Sequence, residues 1–195
     1  MADQGTEGLL SPMLRHMRIE KAKPYLNGKV LDIGCGSGAL AKFISDENYL
    51  GIDIDETSLN IAREDYPNHR FTNTYEEASD KYDSIVALAL LEHLDDPVDF
   101  LKLCSSKLSE QGHIILTTPH PKSDLIHDIG SKIGLFSSHA EEEHEELIDL
   151  EKLKQLLKRT DLCLKTYKPF QGGLNQLFVL TKWVRRKVYN KLANF

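Results

Sequence analysis

The residues best equipped for chemistry crowd into seven positions, Asp32-Ile33-Gly34-Cys35-Gly36-Ser37-Gly38, with a second carboxylate, Asp53, nineteen residues after Gly34. Glycines at alternate positions permit a tight bend and let backbone N–H groups approach a ligand closely, which is the chemistry of a nucleotide-binding turn. The glycines alone leave the ligand open, since Gly34, Gly36 and Ala39 also satisfy the looser G-x-G-x-x-A form of a dinucleotide fingerprint. Asp32 separates the alternatives: a carboxylate two residues before the first glycine repels a pyrophosphate laid on the turn and suits a ligand carrying an ammonium group. Asp53, at the end of the next strand, suits ribose hydroxyls. For proton transfer near neutral pH the candidates are His93, His120 and His144. His144 stands among Glu141, Glu142, Glu143, Glu145 and Glu146, whose carboxylates hold its proton and make it the poorer base.

The stretch Asp32 to Gly38 closely resembles the first motif of class I S-adenosylmethionine-dependent methyltransferases, in which the acidic residue and glycine loop hold the methionine end of the cofactor. A second stretch, opening Tyr82-Asp83 and closing Leu91-Glu92-His93-Leu94, resembles the fourth motif of the small-molecule and quinone-biosynthesis members of that group. The resemblance covers about residues 28 to 120. It implies S-adenosylmethionine as cofactor, contacted by Asp32, Gly34, Cys35, Gly36, Gly38, Asp53, Ile54 and Leu88, with Ile54 beside the adenine. A sulfonium donor leaves the protein mainly to align and to exclude water, so His120 and His93 are the candidate catalytic bases, His93 and Glu92 chiefly shaping their loop. After the third strand the family commonly places an acidic residue on the adenine amino group. This chain reads Asn73-Thr74-Tyr75-Glu76-Glu77 there, which leaves stacking by Tyr75 and hydrogen bonding by Glu76 both open. Small-RNA ribose methyltransferases bind metal through Glu-x-x-Glu-His. Here Ala89 replaces the first glutamate, so no metal is expected.

These residues must be positioned by alternating strands and helices. Val30, Leu31 and Ile33 make a first strand, followed by an apolar helical pattern at Leu40, Ala41, Phe43 and Ile44. Further strands are read at Tyr49 to Ile54, Arg70 to Thr72, Tyr82 to Leu90 and His113 to Thr118, the fourth nearly continuous in apolar residues, as a strand covered on both faces should be. Helices are read from Ser11 to a stop before Pro24, from Glu56 to Asp65 behind an Asp55 cap, from Val98 to Leu108 and from Leu147 to Arg159. The first is read as a solvated helix, or one turning Arg15, His16, Arg18 and Lys21 toward a ligand. Glu110-Gln111-Gly112 reads as a turn. Leu162 to Tyr167 and Leu174 to Thr181, separated by Gln171-Gly172-Gly173, form a terminal antiparallel hairpin. The expected fold is α/β, doubly wound around a mostly parallel seven-stranded sheet, in one domain over 1–195. That domain comprises an N-terminal helix at 11–23, a cofactor-binding core at 28–120, an acceptor-side insertion at 122–146 and a basic amphipathic tail at 182–195. Residues 1–10 carry no periodic signal.

The chain has 195 residues and a formal net charge of −6, unevenly spread. Residues 162–195 hold seven lysines and arginines and no acid, leaving −13 on the first 161 residues. An acidic body argues against a broad nucleic-acid surface. In the tail, Trp183, Val184, Val188, Tyr189, Leu192 and Phe195 share a helical stripe ringed by basic residues. That pattern suits an anionic membrane surface, or packing on the sheet or on a partner chain. Cys35, Cys104 and Cys163 contain no C-x-x-C pair and read as reduced, buried thiols. Neither an 18-residue apolar run nor a signal-peptide pattern is present, so a cytoplasmic location is expected, with peripheral membrane contact through the tail. The acceptor to which the resemblance points is a small molecule, glycan or lipid precursor, methylated at oxygen. The rival is a cofactor-binding partner or sensor without turnover.

Overall fold

The computed structural model describes residues 11–121 and 147–183. His144, the insertion at 122–146 and the tail beyond Trp183 lie outside the described residues. Seven strands form one sheet: β1 (Val30–Ile33), β2 (Tyr49–Ile52), β3 (Arg70–Thr72), β4 (Tyr82–Leu88), β5 (Leu108–Pro119), β6 (Leu162–Phe170) and β7 (Asn175–Lys182), in the spatial order β3-β2-β1-β4-β5-β7-β6. Among the described strands only β7 runs against its neighbours, and the hairpin expected from Leu162 to Tyr167 and Leu174 to Thr181 is the β6–β7 pair around a Gln171–Gly173 turn. The chain leaves β1 toward one side of the sheet and returns to build the other side from β4. The carboxyl ends of β1 and β4 are therefore the point where the winding reverses, and a crevice for a ligand opens there in such sheets.

Period-two alternation divides the strand residues between two apolar layers. Val30, Val86, Ile115, Leu177 and Val179 face α1 (Ser11–Ala22), whose Ile19 and Ala22 are buried against them. Leu31, Ile33, Ile85 and Leu116 face α3 (Pro97–Lys107) and α4 (Leu150–Leu157), through Phe100, Leu101, Cys104, Leu153 and Leu157. Both faces of β4 are covered, which explains its apolar run. Helix α2 (Glu56–Asp65) begins as its sequence requires, with Asp55 accepting from Thr57 N at 3.1 Å and Ser58 N at 3.2 Å.

Several boundaries differ from the sequence reading; β2 ends at Ile52 rather than Ile54, and four further differences have a plain physical cause. The helix expected from Leu40 to Ile44 is a single 3₁₀ turn, Ala41–Phe43. Gly38 sits at φ +76°, and the few residues between it and Tyr49 must also return the chain to the start of β2. At 1.5 Å per residue an α-helix covers that distance less economically than 3₁₀ and extended backbone. Strand β4 stops at Leu88 because Ala89 adopts φ +55°, and Leu91–His93 is a 3₁₀ turn. The turn at Glu110–Gly112 is a bulge inside β5: Leu108 pairs with Tyr82, and the regular ladder resumes at His113 opposite Ser84. Finally α4 starts at Leu150, where Asp149 caps it through Lys152 N at 2.8 Å. No helix among the described residues is long and apolar enough to cross a membrane.

Candidate active site

The carboxyl edge at β1 and β2 is held together by the two carboxylates that the sequence singled out. Asp32 is the third residue of β1, opposite Gly51 on β2 and Val86 on β4, and its side chain is only 4% exposed. The Tyr49 hydroxyl donates to Asp32 Oδ2 at 2.8 Å. Burial pushes the Asp32 carboxyl up to about 7, with the Tyr49 bond pulling it down and the charge of Asp53 adding to the rise.

Beyond β1 the loop is fastened to the end of β2, with Gly34 N and Cys35 N both donating to the Ile52 carbonyl, at 2.8 and 3.1 Å. Asp53, just past β2, accepts from Gly36 N at 2.7 Å through Oδ2 and from Asp55 N at 2.9 Å through Oδ1. The loop needs its glycines. Gly34, Gly36 and Gly38 have φ of +74°, +51° and +76°, and a Cβ on Gly38 would come within 2.9 Å of the Phe71 ring. At Gly36 a Cβ would meet nothing within 4 Å, so the loop is open on that side. No α-helix follows the loop, so a helix terminus adds nothing to its attraction for electron-rich atoms. Of the loop's own N–H groups, those of Gly34, Cys35 and Gly38 donate to backbone carbonyls and that of Gly36 to the Asp53 carboxylate.

The remaining candidates lie around the same edge. Cys35 is buried, and its desolvation beside Asp32 and Asp53 raises its pKa far above the ordinary thiol value, so it packs the loop and is no nucleophile. Leu88 closes β4, and Ile54 stands 91% exposed next to Asp53. His93 is exposed on the turn after β4, and His120 is half-buried after β5, where its backbone N–H donates to the Leu174 carbonyl at 2.8 Å. Tyr75 packs against the core layer that contains Cys104, whereas Glu76 is exposed. Among the described residues no group of three or more His, Cys, Asp or Glu side chains is placed to hold a metal ion.

Two features of this edge were not foreseen in the sequence. By its pattern Tyr49 is an ordinary strand residue. Arg18 was left open between solvent and a ligand, and it is half-buried, its Nε donating to Asn175 Oδ1 at 3.2 Å while Glu92 faces its charge. Asn175 in turn bonds Gln171, and Gln171 Nε2 donates to Met17 Sδ at 3.0 Å, so a polar seam joins α1 to the β6–β7 turn. Behind it Gln176 is fully buried and donates to the Ile148 carbonyl at 3.0 Å. The available signal was the pair Asn175-Gln176 at the head of an otherwise apolar strand. Two concavities, of about 300 and 210 Å³, lie at the opposite, amino edge, around His69 and Asn27. They share no residue with the glycine loop.

A mostly parallel seven-stranded sheet with one antiparallel strand next to last in order, an acidic residue one position before the end of β1 and a glycine loop after it, define a class I methyltransferase fold. The sequence matches the model of the methyltransferase domain family over residues 13–165, and the chain belongs to that family. It is 26% identical over 167 residues to the ubiquinone biosynthesis O-methyltransferase of Vibrio campbellii, covering 78% of this chain and 71% of that protein. It is 30% identical over 140 residues to the enzyme of the same name from Acinetobacter baylyi, covering 65% and 59%. Similar solved structures include magnesium protoporphyrin IX methyltransferase from Synechocystis with bound S-adenosylhomocysteine, at TM-score 0.65 and 18% identity over 91% of this chain and 89% of that one. An S-adenosylmethionine-dependent methyltransferase from Clostridium acetobutylicum superposes at TM-score 0.63 with 13% identity, covering 88% and 91%.

Proposed function

We propose that this chain transfers a methyl group from S-adenosylmethionine to an oxygen atom of a small-molecule acceptor. The observation that carries the reading is the buried Asp32 carboxylate beneath a glycine loop whose Gly36 N–H is held by a second carboxylate, Asp53. A pyrophosphate on that loop would have to displace Asp53 and face both charges, whereas an α-ammonium group gains from each. Asp32 meets the amino group of the methionyl end, the backbone at Gly34, Cys35, Gly36 and Gly38 lines it, and Asp53 offers its free lone pairs to ribose hydroxyls. Ile54 and Leu88 flank the adenine, and Ile54 gains the burial that it lacks in the open chain.

When bound, the donor supplies a methyl group already activated by its sulfonium. The chain's own task is to bring the acceptor oxygen in line and to keep water away. His120 and His93, on the loops after β5 and β4, are the groups that take the hydroxyl proton. Oxygen as the methylated atom follows the relatives, two of which are named as O-methyltransferases of ubiquinone biosynthesis.

Calorimetry with S-adenosylmethionine, S-adenosylhomocysteine and NAD in parallel tests the first step. Binding of the two sulfur nucleosides and not NAD is expected, and the reverse result refutes the reading. Transfer of labelled methyl to a panel of catechol and phenol acceptors tests the second, with loss of about 10²-fold or more in kcat expected for His120→Ala or His93→Ala if that histidine is the base.

A further inference from the structure

We infer that Tyr49 is the positioning residue for Asp32: its hydroxyl, passing through the space left by the missing side chain of Gly51, holds the Asp32 carboxylate in the ionised, correctly aimed state that cofactor binding requires. This rests on the proposed cofactor reading, and it adds a residue that neither the glycine motif nor its spacing contains.

The geometry is specific. Tyr49 is paired with Val30, two residues before Asp32, so its side chain must run forward along the sheet face to reach the carboxylate. Directly opposite Asp32 stands Gly51. A Cβ there would fall 3.0 Å from the Tyr49 hydroxyl, 2.9 Å from Cys35 Sγ and 2.8 Å from the Phe71 ring, so any larger residue would push the phenol off its path. The ring is held from its other sides by edge contacts with His69 and Phe71, at centroid distances of 5.5 and 5.6 Å. The result is a buried O–H···O bond of 2.8 Å with little room to reorient.

Asp32 needs such a partner. It faces Tyr49 from β2, Asp53 from beyond β2 and the Cys35 thiol from the glycine loop, while β4 faces it with Val86, which has no charge. Asp53 and burial both favour the protonated acid, and Tyr49 alone of these opposes them. Without the phenol, the carboxyl would carry a proton over more of the neutral range and would lose its attraction for an ammonium group.

The test compares wild type with Tyr49→Phe by calorimetric titration of S-adenosylhomocysteine between pH 6 and 9. The ratio of the two affinities at each pH cancels the titration of the ligand's own amine. If removal of the hydroxyl raises the Asp32 midpoint by about one pH unit, binding weakens about fivefold at pH 7 and the two proteins converge near pH 9. A uniform loss at every pH means that Tyr49 is merely part of the packing, and unchanged affinity means that it is irrelevant. Either overturns the inference. Two readouts separate its failure from failure of the cofactor reading. The ¹³C shift of the Asp32 carboxyl in the ligand-free chain should titrate at higher pH in Tyr49→Phe whatever the protein binds, and no movement refutes the pairing. Wild type that binds no sulfur nucleoside at any pH refutes the cofactor reading alone. On an Asp32→Asn background, Tyr49→Phe should cause no further pH-dependent loss.

Discussion

Asp32 carries a cost that follows from its placement. Its carboxyl titrates near 7 in the folded chain against about 3.9 in an unfolded one, so folding takes up a proton between those values. The stability contributed by that proton is complete below about pH 4 and is lost as pH rises through 7, on the order of 4 kcal/mol in all. Asp32→Asn should therefore melt higher than wild type at pH 8 and nearly together with it at pH 4, while losing affinity for the sulfur nucleoside. Thermal melts across pH 4 to 8 check this, and a variant less stable than wild type at pH 8 would contradict it. Asp32, Asp53 and the three glycines were legible in the sequence because each is defined by spacing along the chain. Tyr49 was not, since its role depends on which residue of β2 lies opposite Asp32 and on that residue having no side chain. Arg18 was half-legible: the helix was clear, but which of its charged residues turns toward Asn175 is decided by packing on a strand more than 150 residues away.

At the scale of elements, α1 joins the sheet to the open edge. Ile19 is 3% exposed and Ala22 fully buried, and this contact fixes where Arg18 and Met17 meet the β6–β7 turn. Ile19→Ala should cost about 2–4 kcal/mol in urea unfolding and should weaken acceptor or cofactor binding by loosening that seam. A cost below about 1 kcal/mol would mean that α1 is not docked in solution. Helices with a capping residue and a full apolar stripe were readable, as Asp55 and α2 show. The segment after Gly38 was misread because apolar residues at Leu40, Ala41, Phe43 and Ile44 mimic a helix stripe. Local pattern does not reveal that the chain must be back at Tyr49 so soon. The bulge in β5 escaped for a related reason: Glu110, Gln111 and Gly112 have turn composition, and only the partner strand shows that the ladder continues past them.

For the whole molecule, the winding reversal between β1 and β4 assigns the two edges of the sheet different work. Hydrogen exchange with saturating S-adenosylhomocysteine should slow at the loops after β1, β2 and β4, residues 34–38, 53–55 and 89–93, and leave the amino-edge segments 44–48 and 65–69 unchanged. Protection confined to the amino edge would move the ligand to the concavity around His69. The alternation of strands and helices, and the hairpin that ends it, made the sheet legible from the sequence. The insertion of the hairpin's second strand between β5 and β6 is a matter of tertiary pairing, for which no local pattern exists. That order bears on synthesis. While the chain emerges from a ribosome, β5 presents an unpaired flank, and β6 has nothing to join until Asn175–Lys182 is free to slide between them. In the finished sheet both of these edges find their amide partners in β7.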